Sequence, residues 1–524
     1  MIGVAGAGTM GSGIAQLGCL AGARTLLHDP IPEALSQGLE RIKGHLDRGA
    51  ERGRWSSEEA TAAAGRLEGV ASLEDLAPCE LVIEAAPERL ELKQQLFGAL
   101  SEGVVSEECV LATNTSSLLV TAVAAGATRP ERVVGMHFFN PAPLMRLLEV
   151  VAGVRSSPEA LAVARATGEA MGKVVIDAVD GPGFLVNRCN RPFGVEAQKL
   201  LSERMAPLEI IDRICRLEGG FRMGPFELSD LVGVDVGLDV SRSFYEQSFG
   251  EPRWRPSPIA VKVVASGAHG RKSGRGYYDY SRDPYREADP EPPPVGGGDG
   301  VVVIAGSLPL AEELRLAAGA AGWDVAEPGA AGDLQPPALI LDVLGPGEEP
   351  SAPLQGGPQA ICCATASLGA LDPAGSAVGF HVLPPLSEAH LVELTRGPDS
   401  SPAVGEAAER FFGTLGKVCV WVGDAPGLVL GRMVCQVVNE AAFALGEGVG
   451  SAEDIDTGIV HGMNYPRGIL AWADEIGLDH VCSVLDALHE ELGEERYRLA
   501  PELRRRAWSG RLGRQTGEGF FSYG

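Results

Sequence analysis

His137 and Glu149, twelve residues apart, are the two side chains of this sequence best suited to chemistry. A neutral imidazole can take a hydroxyl proton near neutral pH, provided something fixes its tautomer. His137 stands in Gly135-Met136-His137-Phe138-Phe139-Asn140-Pro141, and Glu149 ends the mostly apolar run Leu144-Met145-Arg146-Leu147-Leu148. A carboxylate there is costly unless it has a partner, and a bond from His137 Nδ1 would satisfy both. The alternatives are a buried structural histidine and a salt bridge from Glu149 to Arg146 or another arginine. The chain also opens on Gly6-Ala7-Gly8-Thr9-Met10-Gly11. In G-x-G-x-x-G the first glycine permits a tight turn, the second lets backbone approach a pyrophosphate, and the third lets helix pack on strand. Asp29 could accept from both ribose hydroxyls and would repel a 2′-phosphate, which favours NAD over NADP. A proton acceptor and a hydride acceptor together imply a dehydrogenase.

These groups need a parallel sheet to hold them. Ile2–Ala5 reads as a strand, Thr9–Leu20 as a helix and Arg24–His28 as a second strand ending at Asp29, a βαβ opening. Leu81–Glu84 and Val110–Thr113 read as later strands of the same sheet. After Gly181-Pro182-Gly183 the pattern becomes helix-length and amphipathic, and a helical domain closes near Tyr277-Tyr278. Residues 281–300 are rich in proline, glycine and charge and read as a linker that cannot bury enough apolar surface to pack.

A second copy follows. Adding 244 takes His137 to His381, Glu149 to Glu393, Pro182-Gly183 to Pro426-Gly427, Arg188 to Arg432, Asp212 to Asp456 and Gly233 to Gly477. Upstream the offset is 300, pairing Ala5-Gly6 with Ala305-Gly306, so the second copy is 56 residues shorter before its histidine, with much of the loss at 41–66. Its chemistry is depleted. Leu308 and Ala311 replace Gly8 and Gly11, and Gly329 falls opposite Asp29; Ala366, Pro384, Gly431 and Gln515 face Ser116, Asn140, Asn187 and Lys272. The expected architecture is therefore an α/β Rossmann-type domain (1–180), an all-α domain (181–280), the linker (281–300), a degenerate Rossmann-like domain (301–423) and a second all-α domain (424–524). The second copy is not expected to bind a dinucleotide.

Composition narrows the partners. At 524 residues the chain exceeds one core, and a formal charge of −26 argues against nucleic acid or an anionic membrane. The ten cysteines include no C-x-x-C, so neither zinc nor a disulfide framework is suggested and no metal is expected. No apolar run reaches the ~18 residues of a membrane span. The first twenty-odd residues lack a basic leader, and a cytoplasmic protein is the default expectation.

Five motifs in order, G-A-G-T-M-G, L-A-T-N-T-S-S-L (111–118), G-M-H-F-F-N-P, G-P-G-F-L-V-N-R (181–188) and M-G-P-F-E-L-S-D (223–230), resemble the NAD-dependent L-3-hydroxyacyl-CoA dehydrogenases. The likeness covers about residues 1–280, and the whole chain resembles the two-copy members described for 3-hydroxybutyryl-CoA and phenylacetate-pathway enzymes. The resemblance implies His137 as general base, Glu149 as its orienting partner, and Ser116 and Asn187 as hydrogen-bonding residues for the reacting oxygen and the substrate. It further implies that Glu88, Lys93, Asn140 and Lys272 line the NAD site beside Gly6, Gly8, Thr9, Met10, Gly11 and Asp29. Without it, Ser116 could be a strand-end turn residue and Asn187 a helix-start residue.

The family's CoA-contacting segment falls on Arg41, Lys43, Arg48, Arg52 and Arg54, among which Arg52 is the choice; a solvated helix face is the alternative. A 3-hydroxyacyl-CoA, short-chain such as 3-hydroxybutyryl- or 3-hydroxyadipyl-CoA, is the expected substrate. The rivals are a β-hydroxyacid dehydrogenase acting on a free acid with a lysine base, and a non-catalytic, crystallin-like NAD-binding protein. Single-copy relatives dimerise through their helical domains, so 424–524 is expected to pack on 181–280 in one chain, giving a monomer with an internal pseudo-dimer; a homodimer is the alternative.

Overall fold

The computed structural model describes residues 1–327, 336–351 and 357–524. The expected counterpart of Asp29, Gly329, lies outside the described residues. The chain divides into two compact units, one of residues 1–188 with 448–463, the other of 189–447 with 464–524.

In the first unit, β1 (Ile2–Ala5), β2 (Thr25–His28), β3 (Leu67–Val70), β4 (Leu81–Glu84), β5 (Val110–Thr113), β6 (Val133–Phe138), β7 (Leu147–Ala152) and β8 (Val174–Val179) form one sheet in the order β3-β2-β1-β4-β5-β6-β7-β8. The first six strands run parallel and β6 meets β7 antiparallel. Strands β1, β2, β4 and β5 are buried along their whole length, as continuous apolar runs in a covered parallel sheet must be. The strand order reverses beside β1, and in open α/β sheets ligands bind beyond the carboxyl ends of the strands at that crevice. The helix Ala452–Met463, from the second helical repeat, packs against β7 and β8 within this unit, a grouping that the repeat-based boundaries do not give.

The second unit carries β9 (Val301–Ala305), β10 (Asp324–Ala326), β11 (Leu339–Asp342), β12 (Gln359–Cys362), β13 (Val378–His381), β14 (Leu391–Arg396) and β15 (Val418–Trp421), ordered β10-β9-β11-β12-β13-β14-β15. Among the described residues this is the first sheet's order without a counterpart of β3. The repeat is visible in the elements themselves. The offset of 244 carries β7 onto β14, the helix Val186–Ser202 onto Leu430–Gly446 and the helix Pro225–Val232 onto Ile469–Ile476.

Within the second unit the two helical repeats are joined by buried ion pairs: Arg432 meets Glu196 at 2.6 Å and Glu203 at 2.7 Å, and Arg253 meets Glu440 at 2.8 Å. The segment 281–300 has no helix or strand, yet it is not loose. Arg216 grips Asp289 at 2.7 Å, Tyr285 Oη donates to Glu227, and Gly296 N donates to the Thr414 carbonyl. Charge and hydrogen bonding fasten it where apolar burial could not, which is why composition made it look free. Among the described residues no helix is long and apolar enough to cross a membrane.

Candidate active site

The glycine turn joins β1 to the helix Thr9–Leu20. Gly6 has φ +115°, open only to glycine at low cost. A Cβ on Gly11 would lie 1.8 Å from the Gly6 carbonyl oxygen, whereas one on Gly8 would meet nothing within 4 Å. Two glycines thus close the turn, and the third leaves backbone bare toward open space at a helix N-terminus, where unpaired N–H groups and the helix dipole favour an anion. Asp29 accepts from Ala7 N at 2.8 Å and from Ile31 N at 3.0 Å, which fixes its carboxylate beside the turn. These residues fit a dinucleotide with a free 2′-hydroxyl. Arg41, read from sequence as part of a CoA-facing cluster, instead donates to Ser12 Oγ at 3.0 Å and the Ala7 carbonyl at 3.3 Å, so it braces the turn. Arg52 caps the helix Pro32–Glu51 and is exposed.

Beyond β4 and β5 lies a buried polar network. Lys93, 1% exposed, reaches Glu84 at 2.6 Å and Glu88 at 3.2 Å. Glu84 also accepts from Thr113 Oγ1 and Ala86 N. Glu88 accepts from Thr115 Oγ1, Ser116 N, Ser117 N and Ser117 Oγ. Burial would raise the Glu88 carboxyl, but the Lys93 ammonium and those hydrogen bonds outweigh it and hold it below its ordinary value. The Ser116 loop is thereby pinned through its backbone, and the residue itself stays exposed. Lys93 and Glu88 brace one another and this loop.

His137 and Glu149 are cross-strand partners in the antiparallel β6·β7 pair. His137 Nδ1 lies 2.6 Å from Glu149 Oε2. Glu149 Oε1 accepts from Leu185 N at 3.1 Å and Val186 N at 2.9 Å, the first amides of the helix that carries Asn187. Glu149 is wholly buried and His137 is 5% exposed. Three donors converging on one carboxylate make Nδ1 the donor nitrogen, the tautomer in which a neutral ring keeps its lone pair on Nε2. Phe139 and Phe184, at 4.6 and 5.7 Å between centroids, confine the ring. Asn114 Oδ1 accepts from Phe138 N at 2.9 Å, tying the end of β6 to the loop after β5. Asn187 is half-buried in the first turn of its helix, and Asn140 is exposed just past β6.

The geometry is that of a nucleotide turn and an oriented base on one sheet, and comparison with known proteins says which such enzyme this is. The model for the NAD binding domain of 3-hydroxyacyl-CoA dehydrogenase matches residues 1–181, and the model for that enzyme's C-terminal domain matches twice, over 183–280 and 427–523. The chain belongs to the 3-hydroxyacyl-CoA dehydrogenase family. It is 35% identical over 506 residues to the 3-hydroxyadipyl-CoA dehydrogenase of Escherichia coli K12, covering 97% of each chain. A crystal structure of 3-hydroxybutyryl-CoA dehydrogenase from Escherichia coli K12 shares 34% identity with a TM-score of 0.82, covering 97% of this chain and 99% of that one. The probable 3-hydroxybutyryl-CoA dehydrogenase of Bacillus subtilis is 40% identical over 277 residues, 53% of this chain and 96% of the relative. The protein is thus an NAD-dependent enzyme that oxidises 3-hydroxyacyl-CoA, and the free-acid and non-catalytic readings fall away.

In this dehydrogenase the first unit holds all the catalytic, cofactor and CoA residues expected from sequence except Lys272, which lies in the second unit with its ammonium 2.7 Å from Asp235. Sequence reasoning passed over Glu84, Asn114 and the bracing role of Arg41. Glu84 had a signal, a carboxylate closing the apolar run Leu81-Val82-Ile83, which is the cue that marked Glu149. Among the described residues, the side chains that could jointly offer ligands to a metal ion are Glu218, His381 and Glu393, within 4.8 Å of one another in the second unit.

Proposed function

We propose that His137 Nε2 takes the proton of the 3-hydroxyl group while Glu149, held by Leu185 N and Val186 N, keeps the imidazole in the required tautomer and stabilises the imidazolium. The 2.6 Å bond between His137 Nδ1 and Glu149 carries this reading, because it leaves the opposite ring nitrogen as the acceptor. Ser116 and Asn187 hydrogen-bond the reacting oxygen and fix the substrate. The Gly6–Gly11 turn would hold the pyrophosphate of NAD and Asp29 its ribose, and the cofactor would supply the hydride acceptor. Asn140, Glu88 and Lys93 complete the cofactor's surroundings in the first unit and Arg52 meets CoA phosphate. Orientation of the two reactants can contribute ~7–11 kcal/mol and the base a further ~10²- to 10⁴-fold.

The substrate is a short 3-hydroxyacyl-CoA. Two relatives matched over nearly the whole chain carry the names of 3-hydroxyadipyl- and 3-hydroxybutyryl-CoA dehydrogenases, which supports a short acyl chain; phenylacetate-type degradation in the cytoplasm is the setting this reading proposes. The second copy serves as a degenerate partner, its helices 424–524 packing on 181–280 as a dimer mate would, in a monomer with one active site. Initial rates on 3-hydroxybutyryl-, 3-hydroxyhexanoyl- and 3-hydroxyadipyl-CoA with NAD and NADP test the reading. NAD-dependent turnover of at least one of them supports it, and a preference for NADP contradicts the role of Asp29.

A further inference from the structure

The side-chain amide of Asn114 is engaged on one arm only. Its Oδ1 accepts from Phe138 N at 2.9 Å. A backbone N–H can only donate, so the oxygen must be the atom facing Phe138, and the orientation of the amide is fixed. The other arm, Nδ2, is then a pair of N–H donors. Among the described residues nothing accepts from it, and in this half-buried residue it is not sealed from solvent. The polar side chains around it are already committed: Thr115 Oγ1 and Ser117 Oγ donate to Glu88, and Thr113 Oγ1 donates to Glu84.

Asn114 is the first residue past β5, with its own N–H bonded to the Glu84 carbonyl at 2.9 Å. Its bond to Phe138 sets the side chain at the end of β6, one residue from His137. All of these groups lie in the first unit, at the carboxyl ends of its strands, the edge at which such a sheet takes its ligand. Proton and hydride leave the oxygen and the carbon of one alcohol, so His137 and the nicotinamide ring must serve the same reacting centre. The ring's carboxamide adjoins the carbon that takes the hydride, and its oxygen, once out of water, needs a donor. In the second copy β12 runs into Cys363-Ala364-Thr365-Ala366, which has no side-chain amide, and the Cys363 carbonyl accepts from Gly427 N instead. The donor is missing from the sheet whose turn has lost its glycine spacing.

We propose that Asn114 Nδ2 donates to the carboxamide oxygen of the nicotinamide ring and so sets the rotation of that ring beside His137. One amide then ties the strand that carries the base to the ring that takes the hydride. The inference rests on the general-base reading of His137, which the His137→Ala variant tests separately.

Calorimetric titration of the wild type, Asn114→Asp and Asn114→Ala with reduced 3-acetylpyridine adenine dinucleotide and with ADP-ribose is the experiment. The first ligand keeps the carbonyl oxygen on the ring and lacks the amide NH2, so it can only accept; the second has no ring. Aspartate can still accept from Phe138 N but cannot donate, and the reduced ring is neutral, so the new charge neither attracts nor repels it. Both variants should bind the acetylpyridine ligand roughly 5- to 50-fold more weakly, the cost of an acceptor left without its donor, and bind ADP-ribose within about twofold of the wild type. If Asn114→Asp holds the ring ligand as the wild type does, only the tie to Phe138 matters and the inference fails. It fails equally if both ligands weaken together, which makes Asn114 a scaffold residue, or if only the KM for acyl-CoA rises, which gives the donors to the substrate. A wild type that binds neither ligand would overturn the coenzyme reading of the glycine turn as well.

Discussion

The chain's two glycine turns start alike and diverge within three residues. Gly6 and Gly306 both take positive φ, +115° and +108°, at the end of the first strand of their sheets. After Gly6, Gly8 leaves the backbone bare; after Gly306, Leu308 buries its side chain at the same point and Pro309 removes an N–H from the first turn of the helix. The carboxylate of Glu348 then accepts from Ser307 N and Gly345 N, putting a fixed negative charge where a phosphate would need none. A fold can keep its turn and lose its anion site through three side chains.

The histidine–glutamate pairs diverge as well. Glu393 still accepts from the first amides of its helix, Val429 N and Leu430 N, both at 2.8 Å, and His381 is still its cross-strand partner. The imidazole, however, has turned to His480, with the two Nε2 atoms 3.1 Å apart and His381 Nδ1 unpartnered. Gly431, which stands where the first copy has Asn187, makes room for it: a Cβ there would lie 2.2 Å from His381 Cε1. The carboxylate-to-helix anchor is therefore the structural part of the motif, shared by both copies. The carboxylate-to-imidazole bond belongs to the first copy, and it is the part on which the proposed chemistry rests.

The largest expected effect separates the two histidines. His137→Ala should lower kcat by ~10²- to 10⁴-fold in an NADH absorbance assay, with NAD affinity near normal, while His381→Ala should stay within about twofold. A near-normal kcat for His137→Ala would end the comparison. If the second copy is scaffold, damage there must appear as lost stability: Arg432→Met takes the closest cation from buried Glu196, leaving it Tyr497 Oη and a 3.6 Å contact with Arg496, and should cost up to ~3–5 kcal/mol in denaturant unfolding. Transplanting the second copy's residue into the first turn sharpens the contrast further. Gly11→Ala forces a methyl against the Gly6 carbonyl and should weaken NAD binding by roughly 10- to 100-fold, an overpacking cost of ~1–3 kcal/mol read by calorimetry.

The smallest effect is a pH slope. Burial raises Glu393 to about 8 and, together with the charge of Glu393, holds Glu218 well above its ordinary value; His480, His381 and Cys215 are the titratable groups around them. Folded carboxyls held above their ordinary 4.5 supply stability that is fully present below pH 4.5 and lost as pH rises through about 8. His480, held near 4 by burial, gives the opposite slope below pH 6.5. Glu218→Gln should flatten the alkaline fall by about 1 kcal/mol, roughly one pK unit of linkage, in melts at pH 6 and pH 9. An unchanged slope would remove the pair as its source.

Most of the catalytic sheet was legible because it is built from short continuous apolar runs: β1, β4, β5 and the helix Thr9–Leu20 begin and end where the sequence puts them. The His137–Glu149 bond was legible too, since an isolated carboxylate at the end of an apolar strand needs a partner and the histidine is near in sequence. Glu84 offered the same cue, but its partner Lys93 lies on a helix, where no alternation flags it. The rotation of His381 was not legible at all, because it depends on the space above Gly431 and on a histidine 99 residues away.

The account's central claim is that one sheet of the two binds the coenzyme and does the chemistry. Calorimetric titration of the full chain with NAD tests this most directly, run in parallel on Gly11→Ala. A stoichiometry of one NAD per chain, with that single transition weakened by Gly11→Ala, is the predicted result. Two equivalents per chain, or one equivalent that Gly11→Ala leaves untouched, would contradict it.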